Sequence, residues 1–403
     1  MSQYFWPESF RINDLATGLN ELGHEVTVLT GVPNYPGGKL FEGYSLFHPR
    51  EQYGDVGVIR VPLITRGKGQ GWRLALNYLS FAVSSCLHAL LLMDKEYDVV
   101  FVAQYSPVTV GLPGVVLKKR KRVPMLLWIQ DLWPESLSAT GAVRSPFVLR
   151  LVGSLVKYIY KNCDRILVQS RGFSPDVENR GVSPEMIDYF PNWAEDVYKP
   201  VPAVGAKITT GALPDGFKVM FAGNVGAAQD FDTIIAAALR LKDYQDIHWI
   251  ILGDGRLLNW VKDEIERCGL SSNFHLLGRH PVEHMPQFFR QADVMLVTLK
   301  DERIFSLTIP SKVQSYLACG RPIVAALKGE GARVIQEAGA GEVCSPGDSV
   351  GLADAVLKLY HSKPGERELM GISGRQYYEA NFERNLLLAQ LDKMMIDLIA
   401  NKK

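Results

Sequence analysis

The chain has 403 residues, 44 Lys plus Arg against 43 Asp plus Glu, and a net charge of +1. That length suggests two domains, each able to bury its own core, and the balanced charge excludes a global attraction to nucleic acid. Five dispersed cysteines (Cys86, Cys163, Cys268, Cys319, Cys344) form no close pair, which argues against a disulfide framework or zinc site and fits a reducing cytosol.

The opening residues do not read as a signal peptide, and no internal repeat or low-complexity tract is visible. Residues 11–22 place Ile12, Leu15, Leu19 and Leu22 on one helical face, with Gly23 closing the helix. Residues 25–30 read as a strand and 31–38 as a loop. Residues 72–93 carry no charge after Arg73 and approach transmembrane length, but Asn77, His88 and several serines dilute them. A buried or interfacial helix fits them better than a spanning one. Apolar runs of strand length follow at 97–103, 124–130 and 165–170, and helices between them imply a parallel sheet covered on both faces. The basic run KKRKR at 118–122 is either a solvated loop or a contact for anionic lipid.

The prolines and polar residues of 191–202 mark a linker, after which the alternation begins again. Strands are expected from Lys218, His248, Asn273, Val294 and Pro322, and the tail from about Gly351 is almost wholly helical. Two doubly wound sheets bind ligands at the carboxyl ends of their strands, so the site is expected in a cleft between them. Three strand-end glycine turns point there: FAGNVG with Gly223 and Gly226, LGDG with Gly253 and Asp254, and LGRHP with Arg279 and His280. The most informative segment is IPSKVQSYLACGRPIVA at 309–325. Pro310 suits a first helical turn, Ser311 or Thr308 can cap it, and Lys312 adds a cation where backbone N–H groups already favour an anion. Gly320 ends the helix and a buried strand follows. Two metal-like patterns have simpler readings. Asp230 and Asp232 are acids in a first helical turn, and His280, Glu283 and His284 stand at a helix start beside Pro281.

Taken together these motifs resemble family 4 glycosyltransferases, nearly end to end: QYFWPE at 3–8, GHEVTVLT at 23–30, WIQDLWPE at 128–135, FPNW at 190–193, FAGNVG at 221–226, LGDG at 252–255, Ala292 with Asp293, and PSK through GRPIV at 310–324. FRIND at 10–14, QDLWPES at 130–136 and GNVGAAQ at 223–229 look closest to the bacterial surface-polysaccharide branch, which includes L-fucosamine transferases of O-antigen and capsule synthesis. The resemblance implies an α/β chain of the GT-B fold, with two Rossmann-like doubly wound domains facing across a cleft. Residues 1–195 would bind the acceptor, 196–380 the nucleotide sugar, and 381–403 would return as a helix to the N-terminal domain.

It also implies a retaining, metal-independent enzyme with no cofactor. Such an enzyme would move a sugar (an N-acetylated deoxyhexosamine such as L-FucNAc, or GlcNAc) from a UDP-sugar to a polyprenyl-diphosphate-linked glycan of O-antigen, capsule or exopolysaccharide synthesis. The expected location is cytoplasmic and peripheral to the inner face of the plasma membrane, through 72–93 and 118–122. Lys312 would neutralise the departing diphosphate, helped by the Gly223 and Gly226 N–H groups and by Arg256, Arg279 or Arg321. Asp131 would orient the transferred sugar or the acceptor hydroxyl, or else cap the following helix. Glu8 would face the cleft, or cap the helix near Arg11. Gly223, Asn224, Gly226, Gln229, Gly253, Asp254, Arg279, His280, Pro310, Ser311 and Ser315 would bind the donor, its uracil-type base near 278–280.

Three departures stand out. Asn224 and Gln229 replace an Arg and a Lys that many relatives use on the diphosphate. Leu307 and Ser315 replace two glutamates, which removes the usual carboxylate contact to the ribose and leaves Ser315 able to hydrogen-bond there. Relatives also open with a buried strand that here is reduced to Met1 and Ser2, so the chain is either truncated or its N-terminal domain is built differently. A UDP-GlcNAc 2-epimerase-like isomerase and a non-catalytic nucleotide-sugar-binding subunit are the rival readings. The isomerase would need acid/base residues over the sugar, and no convincing set is visible.

Overall fold

The computed structural model describes residues 1–47, 50–69, 71–139, 143, 145–201 and 213–401. It divides into two compact units, Met1–Pro191 with Leu387–Lys403, and Asn192–Leu386. The expected linker at 191–202 ends on Pro202, outside the described residues.

In the first unit, helix α1 (Arg11–Glu21) buries Ile12, Leu15, Ala16 and Leu19. It stops where Gly23 takes φ +93°, a left-handed conformation open to glycine at little cost. The chain continues through β1 (Thr27–Gly31), β2 (Glu51–Tyr53), β3 (Val56–Val61), α2 (Gly71–Leu91), β4 (Val100–Gln104), α3 (Gly111–Lys121) and β5 (Met125–Ile129). Helices α4 (Glu135–Ala139) and α5 (Pro146–Lys161), strand β6 (Arg165–Val168), helix α6 (Ser174–Glu178) and strand β7 (Ile187–Tyr189) complete this run. Among the described residues, one sheet has the order β1-β3-β2 and another β4-β5-β6-β7. Strand β5 is buried at every position, as its continuous apolar run requires. The hairpin of β2 and β3 was not expected from the sequence; it turns at Gly54, φ +59°, and its outer strand is too short and polar to signal itself.

The opening residues lie between the two sheets. Ser2 N–H donates to Leu29 O (3.2 Å) and Gly31 N–H to Gln3 O (3.3 Å), while Ala103 N–H donates to Met1 O (2.9 Å). The Met1 ammonium donates to Phe101 O at 2.6 Å, and burial pushes it down to about 5. Three residues thus stand where the resemblance expects a strand. Next to them lies a pocket of about 230 Å³, walled by Leu15, Leu19, Val28, Val100 and Leu117.

Two expectations are narrowed here. Of the two readings of residues 72–93, buried or interfacial, helix α2 excludes the first: it buries only Asn77, Phe81, Ala82, Ser85 and Ala89, and presents Trp72, Leu79, Val83 and Leu87 outward. The basic run 118–122 is the last turn of α3 and its C-cap rather than a loop. Lys118, Arg120 and Lys121 pair with Asp164 (2.6 Å), Asp94 (2.8 Å) and Glu96 (3.1 Å).

The second unit comprises β8 (Phe217–Ala222), α7 (Phe231–Arg240), β9 (Ile247–Leu252), α8 (Leu258–Arg267), β10 (Phe274–Gly278), α9 (Met285–Gln291), β11 (Val294–Thr298), α10 (Arg303–Ser306) and α11 (Ser311–Ala318). Strand β12 (Ile323–Ala326), helix α12 (Glu330–Glu337), strand β13 (Gly341–Cys344) and helices α13 (Ser349–His361), α14 (Pro364–Asn381) and α15 (Arg384–Ala400) follow. Residues of α15 from Leu387 onward belong to the first unit, where His24 Nε2 lies 2.7 Å from Asp392 Oδ1. Strand β13, a half-buried edge strand, was also missed from the sequence.

The order β10-β9-β8-β11-β12-β13 is parallel throughout. Winding runs outward from β8 to β10, then returns to β11 on the other side of β8. That reversal opens a crevice at the carboxyl ends of β8 and β11, where doubly wound sheets receive ligands.

Candidate active site

At the end of β8 the chain enters Gly223 with φ +139°. A Cβ there would collide with the Lys312 side chain, which crosses directly over it. Gly253, after β9, has φ +144°, and its Cβ would overlap the Gly223 carbonyl. The two turns pack backbone against backbone, which only glycine allows. Hydrogen bonds lace them together: Gly223 N–H to Leu252 O (2.8 Å), Val225 N–H to Asp254 O (2.9 Å) and Gly253 N–H to Gly278 O (2.7 Å). The Gly223 N–H is therefore committed to the fold and does not assist an anion, contrary to expectation.

Helix α11 faces these turns. Pro310 is its N-cap, in extended conformation, and not a residue of the first turn. No side chain caps it; Thr308 Oγ1 instead donates back to Phe305 O at 3.3 Å. Tyr316 fastens the helix to β8, its hydroxyl accepting from Ala222 N–H (3.0 Å) and donating to Ala222 O (3.3 Å). Ser315 is buried and its Oγ donates to Ser311 O (3.2 Å), while Ser311 is exposed.

Lys312 is the unusual group. Its ammonium lies 3.8 Å from the centre of the Phe221 ring and donates to Oε1 of Gln229, a neutral amide. It also stands in the first turn of α11, where the helix dipole disfavours a cation. Burial pushes its pKa down to about 7. A cation held this way is short of negative charge, and an arriving diphosphate would supply it.

Lys312, Gln229, Asn224, Gly223, Ser311 and Ser315 line one pocket of about 420 Å³. Glu195, Tyr198, Met285, Phe289 and Tyr316 line it as well. Glu195 and Tyr198 had been read as linker; Tyr198 stacks on Phe289 at 5.8 Å and 5°, and only aromatic content hinted at it. A second pocket of about 470 Å³ shares Gly223, Asn224 and Met285 and adds Gly253, Asp254, Arg279 and His280. His280 Nε2 lies 3.1 Å from Leu277 O, and its ring meets Phe288 edge-on at 4.6 Å. Gly226 and Pro310 flank the site without lining either pocket.

Among the other cations proposed to assist Lys312, Arg256 is exposed and lines neither pocket. Arg321 is misplaced by the sequence reading. It donates to Ala292 O at the end of α9 and faces a different pocket, shared with Arg290, Arg367 and Arg375.

Two candidates belong to the first unit. Asp131, past the end of β5, accepts from Ser106 Oγ (2.9 Å), Trp133 Nε1 (3.3 Å) and Ser136 Oγ. Three side-chain donors fix its carboxylate, and it does not cap α4 through backbone N–H groups. Glu8 is 3% exposed and accepts from Asn34 N–H (2.8 Å) and Tyr35 N–H (2.7 Å), tying the opening segment to the loop after β1. Burial raises its pKa, and those N–H groups pull it back. It caps nothing at α1, whose N-cap is Phe10.

Residues 9–193 match the family described as Glycosyl transferase 4-like domain, and residues 216–362 match Glycosyl transferases group 1. The chain belongs to the glycosyltransferases of the GT-B fold. WbjE of Pseudomonas aeruginosa, named as a glycosyltransferase, is 28% identical over 287 residues, 69% of each chain. WcaI of Escherichia coli K12, named as a colanic acid biosynthesis glycosyl transferase, is 28% identical over 306 residues, 74% of each. The fold is shared with sucrose-phosphate synthase from Thermosynechococcus elongatus (TM-score 0.71, 17% identity, 98% of this chain and 95% of that one). It is also shared with the Anabaena HepE protein solved with UDP (TM-score 0.61, 16% identity, 85% and 86%). In this glycosyltransferase Gln229, one of the two residues that depart from the family's pattern, accepts from Lys312, and Lys312 is the cation among the described residues lining the β8/α11 pocket.

Proposed function

We propose that the protein transfers a sugar, with retention, from a UDP-sugar to a polyprenyl-diphosphate-linked glycan of a surface polysaccharide. The donor sugar is an N-acetylated deoxyhexosamine such as L-FucNAc, or GlcNAc. The observation that carries this reading is Lys312, a buried cation whose partners among the described residues are the neutral Gln229 amide and the Phe221 ring, at the sheet's switch point.

In this reading the diphosphate lies between the Gly223–Asn224 turn and the start of α11, and its charge holds Lys312 protonated. The base lies toward Arg279 and His280, and Ser315 reaches the ribose. The acceptor attacks on the face the diphosphate leaves, and a departing phosphate oxygen takes its proton. The protein's task is to neutralise developing charge, needing neither a metal nor a close carboxylate pair. Asp131, held by three donors, orients the acceptor hydroxyl or the sugar, and Glu8 holds the loop after β1. The similarity to WcaI, named for colanic acid biosynthesis, supports the polysaccharide assignment. Outward apolar residues of α2 support work at a membrane surface.

The test is a thermal-shift series with UDP, GDP, TDP and ADP, each with and without EDTA, followed by transfer assays with UDP-sugars and lipid acceptors. A shift with UDP alone, unchanged by EDTA, is the expected result. No shift with any nucleotide in a cooperatively melting chain would overturn the donor assignment, and UDP-sugar epimerisation without acceptor would overturn transfer.

A further inference from the structure

The proposed work at a membrane leaves open what touches the lipid, and the first unit carries more apolar surface than α2 alone. Helix α2 has an unbroken outward stripe in which Trp72, Leu79, Val83 and Leu87 are 64, 55, 60 and 51% exposed. Its length and composition would suffice to cross a membrane, yet one face is buried in the fold, so it lies on the unit's surface. Helix α5 is built the same way. Val156, Ile159 and Tyr160 face the core, while Phe147 (72%) and Leu151 (62%), four residues apart, and Tyr158 face outward.

Neither helix contains an acidic residue, and Arg150, Lys157 and Lys161 flank the outward face of α5. Large outward apolar stripes on surface helices mark interaction faces, and the basic flank of α5 complements anionic headgroups.

The connections place the two stripes on one side. The steps β4 to β5 to β6 run in one direction across a parallel sheet, so right-handed crossovers put α3 and α5 on the same face. Helix α2 packs on α3. The basic end of α3 ties both neighbours: Arg120 Nη1 donates to Ala89 O (3.0 Å) and Met93 O (2.9 Å) at the end of α2, and Lys118 Nζ to Asn162 O (2.7 Å) at the end of α5. Lys118 and Arg120 of the basic run therefore tie the ends of both apolar helices to α3.

We infer that α5 is a second lipid-contacting helix, and that α2 and α5 together dock the chain on an anionic bilayer, with α3 as the rigid strut between them. This rests on the proposed action at a membrane. Trp72 and Tyr158 would lie at headgroup depth, where amphipathic rings settle.

The test is sedimentation of the full chain with phosphatidylglycerol/phosphatidylethanolamine vesicles and with phosphatidylcholine vesicles. Variants are Phe147→Glu/Leu151→Glu on α5 and Val83→Glu/Leu87→Glu on α2, with Leu151→Gln as a milder change should the double substitution disturb folding. The expected result is binding to anionic vesicles that weakens with salt and falls about tenfold or more in each Glu pair, with melting and the UDP shift retained. The milder variant should lose several-fold. Wild-type binding that survives in both α5 variants but not in the α2 pair would overturn the role of α5 and leave membrane action standing. A wild-type chain that ignores every vesicle would overturn both. Wild-type self-association, abolished by the α5 pair with vesicle binding unchanged, would make this face a contact between copies instead.

Discussion

Lys312 carries two opposed consequences of one environment. Its pKa of about 7 lies far below the ordinary lysine value near 10.5, because burial disfavours the ammonium. Between those pH values the unfolded chain binds a proton that the folded chain does not. The contribution of this group to stability is therefore poorest below pH 7 and rises with pH through that window. Lys312→Met should raise the melting temperature without nucleotide at pH 6.5 and abolish the UDP-induced shift. Its transfer rate should fall by about 10²–10³, in line with the loss of one preorganised charge-stabilising group. Calorimetry should find wild-type UDP affinity falling as pH rises above 7, with about one proton taken up on binding; a pH-independent affinity would remove Lys312 from the diphosphate. Gln229→Glu gives the ammonium a carboxylate partner in advance. It should weaken UDP binding at pH 7.5 while leaving the fold intact, as read by titration and melting.

At the scale of elements, the site depends on the fixed distance between the β8 turn and the start of α11. Tyr316 sets that distance through both polar groups of Ala222. Tyr316→Phe leaves a buried N–H and a buried carbonyl unpaired and should cost about 1–3 kcal/mol in chemical denaturation. UDP affinity should fall with it, although Tyr316 presents no charge to the ligand. Gly223→Ala attacks the same arrangement from the other side, adding a methyl group where the Lys312 side chain crosses. Loss of UDP binding with a modest drop in melting temperature is the expected outcome.

For the whole molecule, two units with separate cores allow separate melting transitions. Helix α15 closes the first unit with Leu388, Leu391 and Met395, the last only 3% exposed. Met395→Asp buries an unpaired carboxyl group and should lower the transition of the first unit by several degrees. The transition that UDP shifts, assigned to the second unit, should keep its shift in differential scanning calorimetry. A loss of that shift would mean that donor binding depends on the first unit.

Sequence periodicity and punctuation by themselves determined the doubly wound class, the glycine turns after β8, β9 and β10, and the helix that became α11 with Gly320 at its end. Those signals are local: a buried parallel strand must be continuously apolar, and a backbone that turns left-handed or meets another backbone needs glycine. Short edge strands such as β2 and β13 escaped notice, because an edge is only half buried and carries no long apolar run. Which polar group met which was decided only by the tertiary structure. Arg321 is a cationic residue like Lys312 and nine residues away, yet the turn at Gly320 sends it to the end of α9. The run 118–122 looked free until packing brought Asp94, Glu96 and Asp164 beside it. Charge in a sequence has a sign but no neighbour. Burial and partner, which set its energy, come from residues far away along the chain.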